Sequence, residues 1–133
     1  MISVRFLGID YGVKRVGIAL SDESGTLAFP KAILKNDHTL MPEIKGLCRN
    51  EHVGAIVIGE STDNRGAPNP VMKNILAFVH ALERATNLPV HFEREFMTSA
   101  QVRREGGEGQ SDAGAATLIL QSYIDRKANG AEN

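Results

Sequence analysis

Residues 8–22 read GIDYGVKRVGIALSD, and the apolar run that leads into them begins at residue 3 as SVRFLGID. The run reads as a strand that ends on a carboxylate, Asp10. Gly12 then permits a tight turn, and residues 16–20, VGIAL, form a second strand. A polar turn, Ser21-Asp22-Glu23-Ser24-Gly25, leads to a third strand over 26–34, TLAFPKAIL. Pro30 cannot donate to a ladder, so this strand is expected at a sheet edge or bent there. Three strands joined by short loops predict an antiparallel meander.

Downstream of the meander the period changes. Leu40, Ile44, Leu47 and Cys48 recur at helical spacing, with Thr39 as a possible N-cap. Residues 54–59, GAIVIG, form the continuous apolar run of a buried parallel strand. Residues 60–70 hold glycine, asparagine and two prolines and read as a loop. Val71, Ile75, Phe78, Val79 and Leu82 mark an amphipathic helix closed by Asn87-Leu88-Pro89. Residues 90–95, VHFERE, alternate as a strand, and 98–105 read as a short helix. A glycine-rich link at 106–109 precedes a last helix from about Ser111 to Arg126, with Ala115, Ala116, Ile119, Leu120 and Tyr123 on its buried side. A meander followed by crossover units predicts an α/β fold: a mixed five-stranded sheet flanked by helices. One domain over 1–128 is expected, with 129–133 as a flexible tail.

The 133 residues suit a single domain. A net charge of −1 means that any contact with nucleic acid relies on local basic groups or bound cations rather than on an overall positive field. The single cysteine, Cys48, excludes a disulfide framework and a Cys-rich zinc site. The N-terminus carries Arg5 inside a short apolar run, too short for a signal peptide or membrane span, so a cytoplasmic protein without a membrane contact is expected.

Three carboxylates stand at element ends. Asp10 closes the first strand and can point off the sheet into a cleft, although a hairpin Asp can equally begin an Asx-turn. Asp112 lies in the first turn of the last helix, where the helix dipole alone favours it. The small Ala115 and Ala116 would let that helix lie close to the sheet and bring Asp112 toward the strand end that carries Asp10. Glu93 and Glu95 lie two apart in a strand and share one face. Converging carboxylates repel one another. A divalent cation resolves the repulsion, and hard oxygen ligands suit Mg²⁺ or Mn²⁺. In two-metal sites the ions clamp the attacking and leaving oxygens of phosphoryl transfer. Lys14 and Arg15, in the turn after Asp10, could meet the anion.

These residues support a resemblance over nearly the whole chain. GIDYGVKRVGIALSD, AIVIGESTDNRG (55–66) and SDAGAATLILQSYID (111–125) resemble motifs of the YqgF family, whose members are described as pre-16S rRNA nucleases and also as Holliday junction resolvases. The resemblance implies a ribonuclease H-like fold and an active site of two aspartates and a glutamate. On this sequence those are Asp10, Glu95 and Asp112, as catalytic residues and as ligands of two Mg²⁺ or Mn²⁺ ions. The family's strand motif, Asp-Glu-Arg-Leu-Thr-Thr, corresponds here to Arg94-Glu95-Phe96-Met97-Thr98-Ser99. Counting from Pro89 and back from Thr98-Ser99 both select Glu95, and Glu93 is the second choice. Ser61 stands where the family usually has proline. The segment between Glu95 and Asp112 is short and keeps only Arg103 and Arg104 as basic residues.

The implied activity is a metal-dependent nuclease in 5′-end processing of pre-16S rRNA. Lys14 and Arg15 would contact the substrate, and precursor rRNA is preferred over branched DNA. The alternatives are a Holliday junction resolvase and a non-catalytic nucleic-acid-binding module on the same fold. A two-lobed nucleotide-binding protein shares the Asp-x-Gly opening but needs more chain than 133 residues supply. No residue announces a 2′-hydroxyl contact, so the sequence leaves RNA against DNA open. A monomer is expected. The four histidines are scattered without metal-ligand spacing, and His80 reads as structural beside the core. Met97 reads as core, and Thr98 and Ser99 as caps or carboxylate partners. Arg84, Arg126 and Lys127 read as a solvated face.

Overall fold

The computed structural model describes residues 4–60, 72–94 and 111–128, with the side chains of 111–113 outside that description. The elements run β1 (Arg5–Asp10), β2 (Arg15–Ser21), β3 (Ala28–Lys35), α1 (Leu40–Asn50), β4 (Val53–Glu60), α2 (Met72–Thr86), β5 (Val90–Arg94) and α3 (Ser111–Ala128). One sheet holds the strands in the order β3-β2-β1-β4-β5. The meander pairs antiparallel, and β1, β4 and β5 are parallel. This is the mixed five-stranded sheet that the period changes predict.

Alternation divides the core between the two faces. Leu7, Ile9, Val16, Ile18, Leu20, Ile56 and Ile58 face α1 and α2, where they pack on Leu40, Ile44, Ile75, Val79 and Leu82. Phe6, Ala19, Ala55 and Val57 face α3 and meet Ala116, Ile119, Leu120, Tyr123 and Ile124. Covered on both faces, β1 and β4 read as unbroken apolar runs. Each fully buried Leu or Ile contributes about 1.5–3 kcal/mol. β3 is an edge strand, as Pro30 requires. Its register against β2 slips between Ile18 and Ala19, opposite Pro30 and Ala32, so the expected bend is a β-bulge.

Helix α3 lies tight on the sheet at Gly8. A Cβ there would stand 2.8 Å from Leu120 Cβ and 3.1 Å from the Ala116 carbonyl. Farther along, Tyr123 meets Phe6 edge-on at 5.7 Å. Later residues of the helix thus meet earlier residues of the strand, and α3 runs antiparallel to β1.

Several details differ from the sequence reading. Thr39 makes no side-chain cap. Its N–H and hydroxyl instead donate to Asp37 Oδ1 (2.9 and 2.6 Å), a local turn just before the helix. His80 is exposed on α2 rather than packed beside the core. Asn87 does end α2, in the left-handed conformation with φ 59°. The expected helix at 98–105, most of the 60–70 loop, Met97, Thr98, Ser99 and the 129–133 tail lie outside the described residues.

Candidate active site

Because β1, β4 and β5 are parallel, their carboxyl ends share one edge of the sheet, and Asp10 is the last residue of β1. It is half-buried. Its Cα partner on β2 is Gly17. On the other side the β1–β4 register, continued one residue past Ile9–Ile58, brings Asp10 level with Gly59. Directly opposed residues share a face, and Gly8 assigns that face to α3. Asp10 therefore stands on the α3 face between two positions without side chains.

The turn that follows is fixed from both sides. Tyr11 packs into the opposite core and meets Phe78 at 5.0 Å between ring centroids. A Cβ on Gly12 would fall 2.4 Å from the Arg15 carbonyl oxygen, a contact that only glycine avoids. Asn36 braces the turn. Its Nδ2 donates to the Gly12 carbonyl at 2.7 Å, and its backbone N–H donates to the Lys14 carbonyl at 2.9 Å.

The amino end of α3 comes to the same edge. From Ala116 beside Gly8, four residues back along the helix rise about 6 Å to position 112. Two residues forward along β1 rise about 6.6 Å to Asp10. The backbone at position 112 is thus level with Asp10. The Asp112 side chain lies outside the description. So does Glu95, the residue that directly follows β5.

Glu93, the second-choice ligand, is otherwise engaged. It is buried on the α3 face of β5. Ser122 Oγ donates to its Oε2 at 2.8 Å, and Arg126 Nη2 donates to its Oε1. Arg126 also lies 5.5 Å from the centroid of the Tyr123 ring, on which His91 stacks at 5.5 Å. Arg126 is therefore no part of a merely solvated face. The signal was present but weak: Ser122 and Arg126 are one helical turn apart on one stripe.

Among the described residues, no three His, Cys, Asp or Glu are grouped so as to hold a metal ion. Asp10 offers hard oxygen donors in a half-buried setting, which fits Mg²⁺ or Mn²⁺ rather than a soft-ligand metal. Lys14 and Arg15 are exposed at the turn after Asp10. With Val13, Lys35, Asn36 and Asp37 they line an open depression of about 660 Å³. Cys48 is buried, and desolvation pushes its thiol up to about 11, so it offers no thiolate.

Residues 4–126 match the family described as "RuvX: Holliday junction resolvase". The chain belongs to the RuvX family. It is 32% identical over 127 residues to a protein of Nitratidesulfovibrio vulgaris named "Putative pre-16S rRNA nuclease", covering 94% of this chain and 87% of that one. A protein of the same name from Maridesulfovibrio salexigens is 31% identical over 134 residues, covering 92% and 99%. Among solved structures, T. thermophilus RuvC in complex with a Holliday junction substrate superposes with a TM-score of 0.67 at 14% identity, covering 96% of this chain and 97% of that one. The RuvX chain thus has the ribonuclease H-like fold expected from its motifs. No described helix is long and apolar enough to cross a membrane.

Proposed function

We propose that this RuvX chain is a metal-dependent nuclease that hydrolyses phosphodiester bonds in 5′-end processing of pre-16S rRNA. In this reading Asp10, Glu95 and Asp112 hold two Mg²⁺ or Mn²⁺ ions, and Lys14 and Arg15 contact substrate phosphates. One observation carries it: the strand end bearing Asp10 and the first turn of the helix bearing position 112 meet at one edge of the sheet, with glycines on both sides of Asp10. Ligand sites in open α/β sheets favour the carboxyl ends of the strands. Divalent ions held by Asp10, Glu95 and Asp112 would supply Lewis acidity toward the scissile phosphate. The chain's part is to fix the carboxylates, with Gly17 and Gly59 flanking Asp10 in the sheet. The basic turn offsets phosphate charge that the carboxylates alone would repel.

The names of the curated relatives favour precursor rRNA. The family description favours a second reading, resolution of four-way DNA junctions. One experiment separates them. The purified protein is incubated with Mg²⁺ or Mn²⁺ on a pre-16S rRNA 5′ leader and on a four-way junction. Cleavage of the leader is expected, and Asp10→Asn, nearly isosteric, should abolish it while the far-ultraviolet circular dichroism stays unchanged. Full metal-dependent cleavage by Asp10→Asn would overturn the site assignment. Cleavage of the junction alone would install the second reading.

A further inference from the structure

The β3 bulge decides where Lys35 stands. Ala19 pairs with Pro30, and a regular ladder from there would set Leu34 opposite Arg15 and turn Lys35 to the α1–α2 face. The register slips by one residue at Lys31, so Arg15 pairs with Lys35. A one-residue slip moves every later side chain to the other face. Leu34 and Ala32 turn into the core against α1 and α2. Lys35 comes to the α3 face, the face of Asp10, one pleat repeat beyond the row that Asp10 shares with Gly17 and Ile33.

We infer that Lys35 is a phosphate-contacting residue, forming with Lys14 and Arg15 a cationic edge that holds the phosphodiester backbone of a nucleic acid strand beside Asp10. The inference rests on the nuclease reading for its substrate class but adds a residue that neither the motifs nor the comparisons assign. Three observations carry it. Lys14, Arg15 and Lys35 are all exposed and line one open depression at the carboxyl edge of β1. Arg15 and Lys35 stand directly opposite across the β2–β3 ladder, so both project from the same face. Among the described residues that line the depression, three cations outnumber one acid, Asp37, whose Oδ1 also accepts from the N–H and the hydroxyl of Thr39. Asn36 holds the two halves together through its bonds to Gly12 and Lys14, so Lys35 keeps a fixed position relative to the Asp10 turn. Bulges recur beside active sites, where they re-aim side chains. An edge built this way reads backbone charge rather than bases.

The test is the salt dependence of binding, measured by fluorescence anisotropy on a labelled 20-nucleotide single-stranded RNA and on its DNA counterpart. Lys35→Ala, Lys35→Arg and the remote control Lys45→Ala, on the exposed side of α1, are compared with the unaltered chain at several KCl concentrations. Lys35→Ala is expected to weaken binding several-fold on both probes. It should also lower the slope of log affinity against log salt by about 0.7, the value of one contact on a single strand. Lys35→Arg should restore the slope, and Lys45→Ala should leave it unchanged. An unchanged slope for Lys35→Ala, or an equal drop for Lys45→Ala, overturns the inference even if the protein cleaves RNA. Binding with the expected slopes but no metal-dependent cleavage keeps Lys35 and overturns the nuclease reading instead. No binding to either probe by the unaltered chain overturns both.

Discussion

Arg126, in the last turn of α3, donates through Nη2 to Oε1 of Glu93 on β5, and Ser122 Oγ takes the other carboxylate oxygen at 2.8 Å. Glu93 is 8% exposed, while the Arg126 side chain is 47% exposed. The carboxylate is therefore the dependent partner: it has lost most of its water and relies on two donors from the helix. The contact ties the far end of α3 to the strand that leads directly into Glu95.

Removing Arg126 should leave Glu93 short of one donor. Arg126→Ala is expected to destabilise by about 1 kcal/mol, near the lower end for an unsatisfied buried acceptor because water can reach the vacated side. Glu93→Ala should cost on the order of 1–3 kcal/mol. Urea denaturation of both variants and of the double variant measures the coupling between them. A double variant that loses less than the two singles together reports a true pair, and strict additivity would assign Arg126 to its contact with Tyr123 alone.

Acid sensitivity should trace in part to Asp22. Its carboxylate accepts from the backbone N–H groups of Thr26 (2.8 Å) and Leu27 (3.2 Å), and from the hydroxyls of Ser24 and Thr26. Led by the Thr26 backbone bond, these hold its pKa down from 3.8 to about 2. A carboxyl whose folded pKa is depressed contributes stability that is present above the unfolded value and lost as pH falls through the folded one. The window is thus about pH 4 to 2. Melting temperatures of the unaltered chain and of Asp22→Asn, followed from pH 6 to 2, should run parallel above pH 5. They should converge below it, because the variant lacks the charge that protonation removes. Curves that stay parallel throughout would exclude Asp22 as a contributor.

The order of elements was legible because each signal is local. Gly12 and the Ser21–Gly25 run punctuate the meander, and the change from alternating to helical period marks α1 and α2. The continuous run at 54–59 marks the central parallel strand. Asp10 was legible for the same reason, as a carboxylate at the end of an apolar strand. What the sequence hid depends on register and on pairs distant in the chain. Nothing local says that the ladder slips at Lys31, so Lys35 could not be placed on the Asp10 face. Thr39 fails to cap α1 because its hydroxyl donates to Asp37 Oδ1, and spacing alone does not reveal that competing bond. Arg126 looked solvated because its partner lies 33 positions away on another element.

The seat of α3 on Gly8 makes a last prediction. Gly8 is buried in β1, and the space its side chain would fill is already taken by the Leu120 Cβ and the Ala116 carbonyl. Neither is the free end of a flexible chain, so Gly8→Ala must lift the helix. Overpacking of this kind costs about 1–3 kcal/mol. The displacement would act one turn from position 112, because Ala116 is one helical turn below it. In the nuclease reading, a shift of this sort misplaces Asp112 against Asp10, and misplacements near 1 Å can cost about a hundredfold in rate. Gly8→Ala should therefore remain folded at 25 °C, with a lowered melting temperature, while its cleavage rate under saturating Mg²⁺ falls far more than the folded fraction does. Leu120→Ala in the same background removes only the outer contact at 3.3 Å and keeps both the Leu120 Cβ and the Ala116 carbonyl against the new methyl. It should recover little of the rate. A Gly8→Ala protein that cleaves at the rate of the unaltered chain would show that the position of α3 over β1 does not set the site.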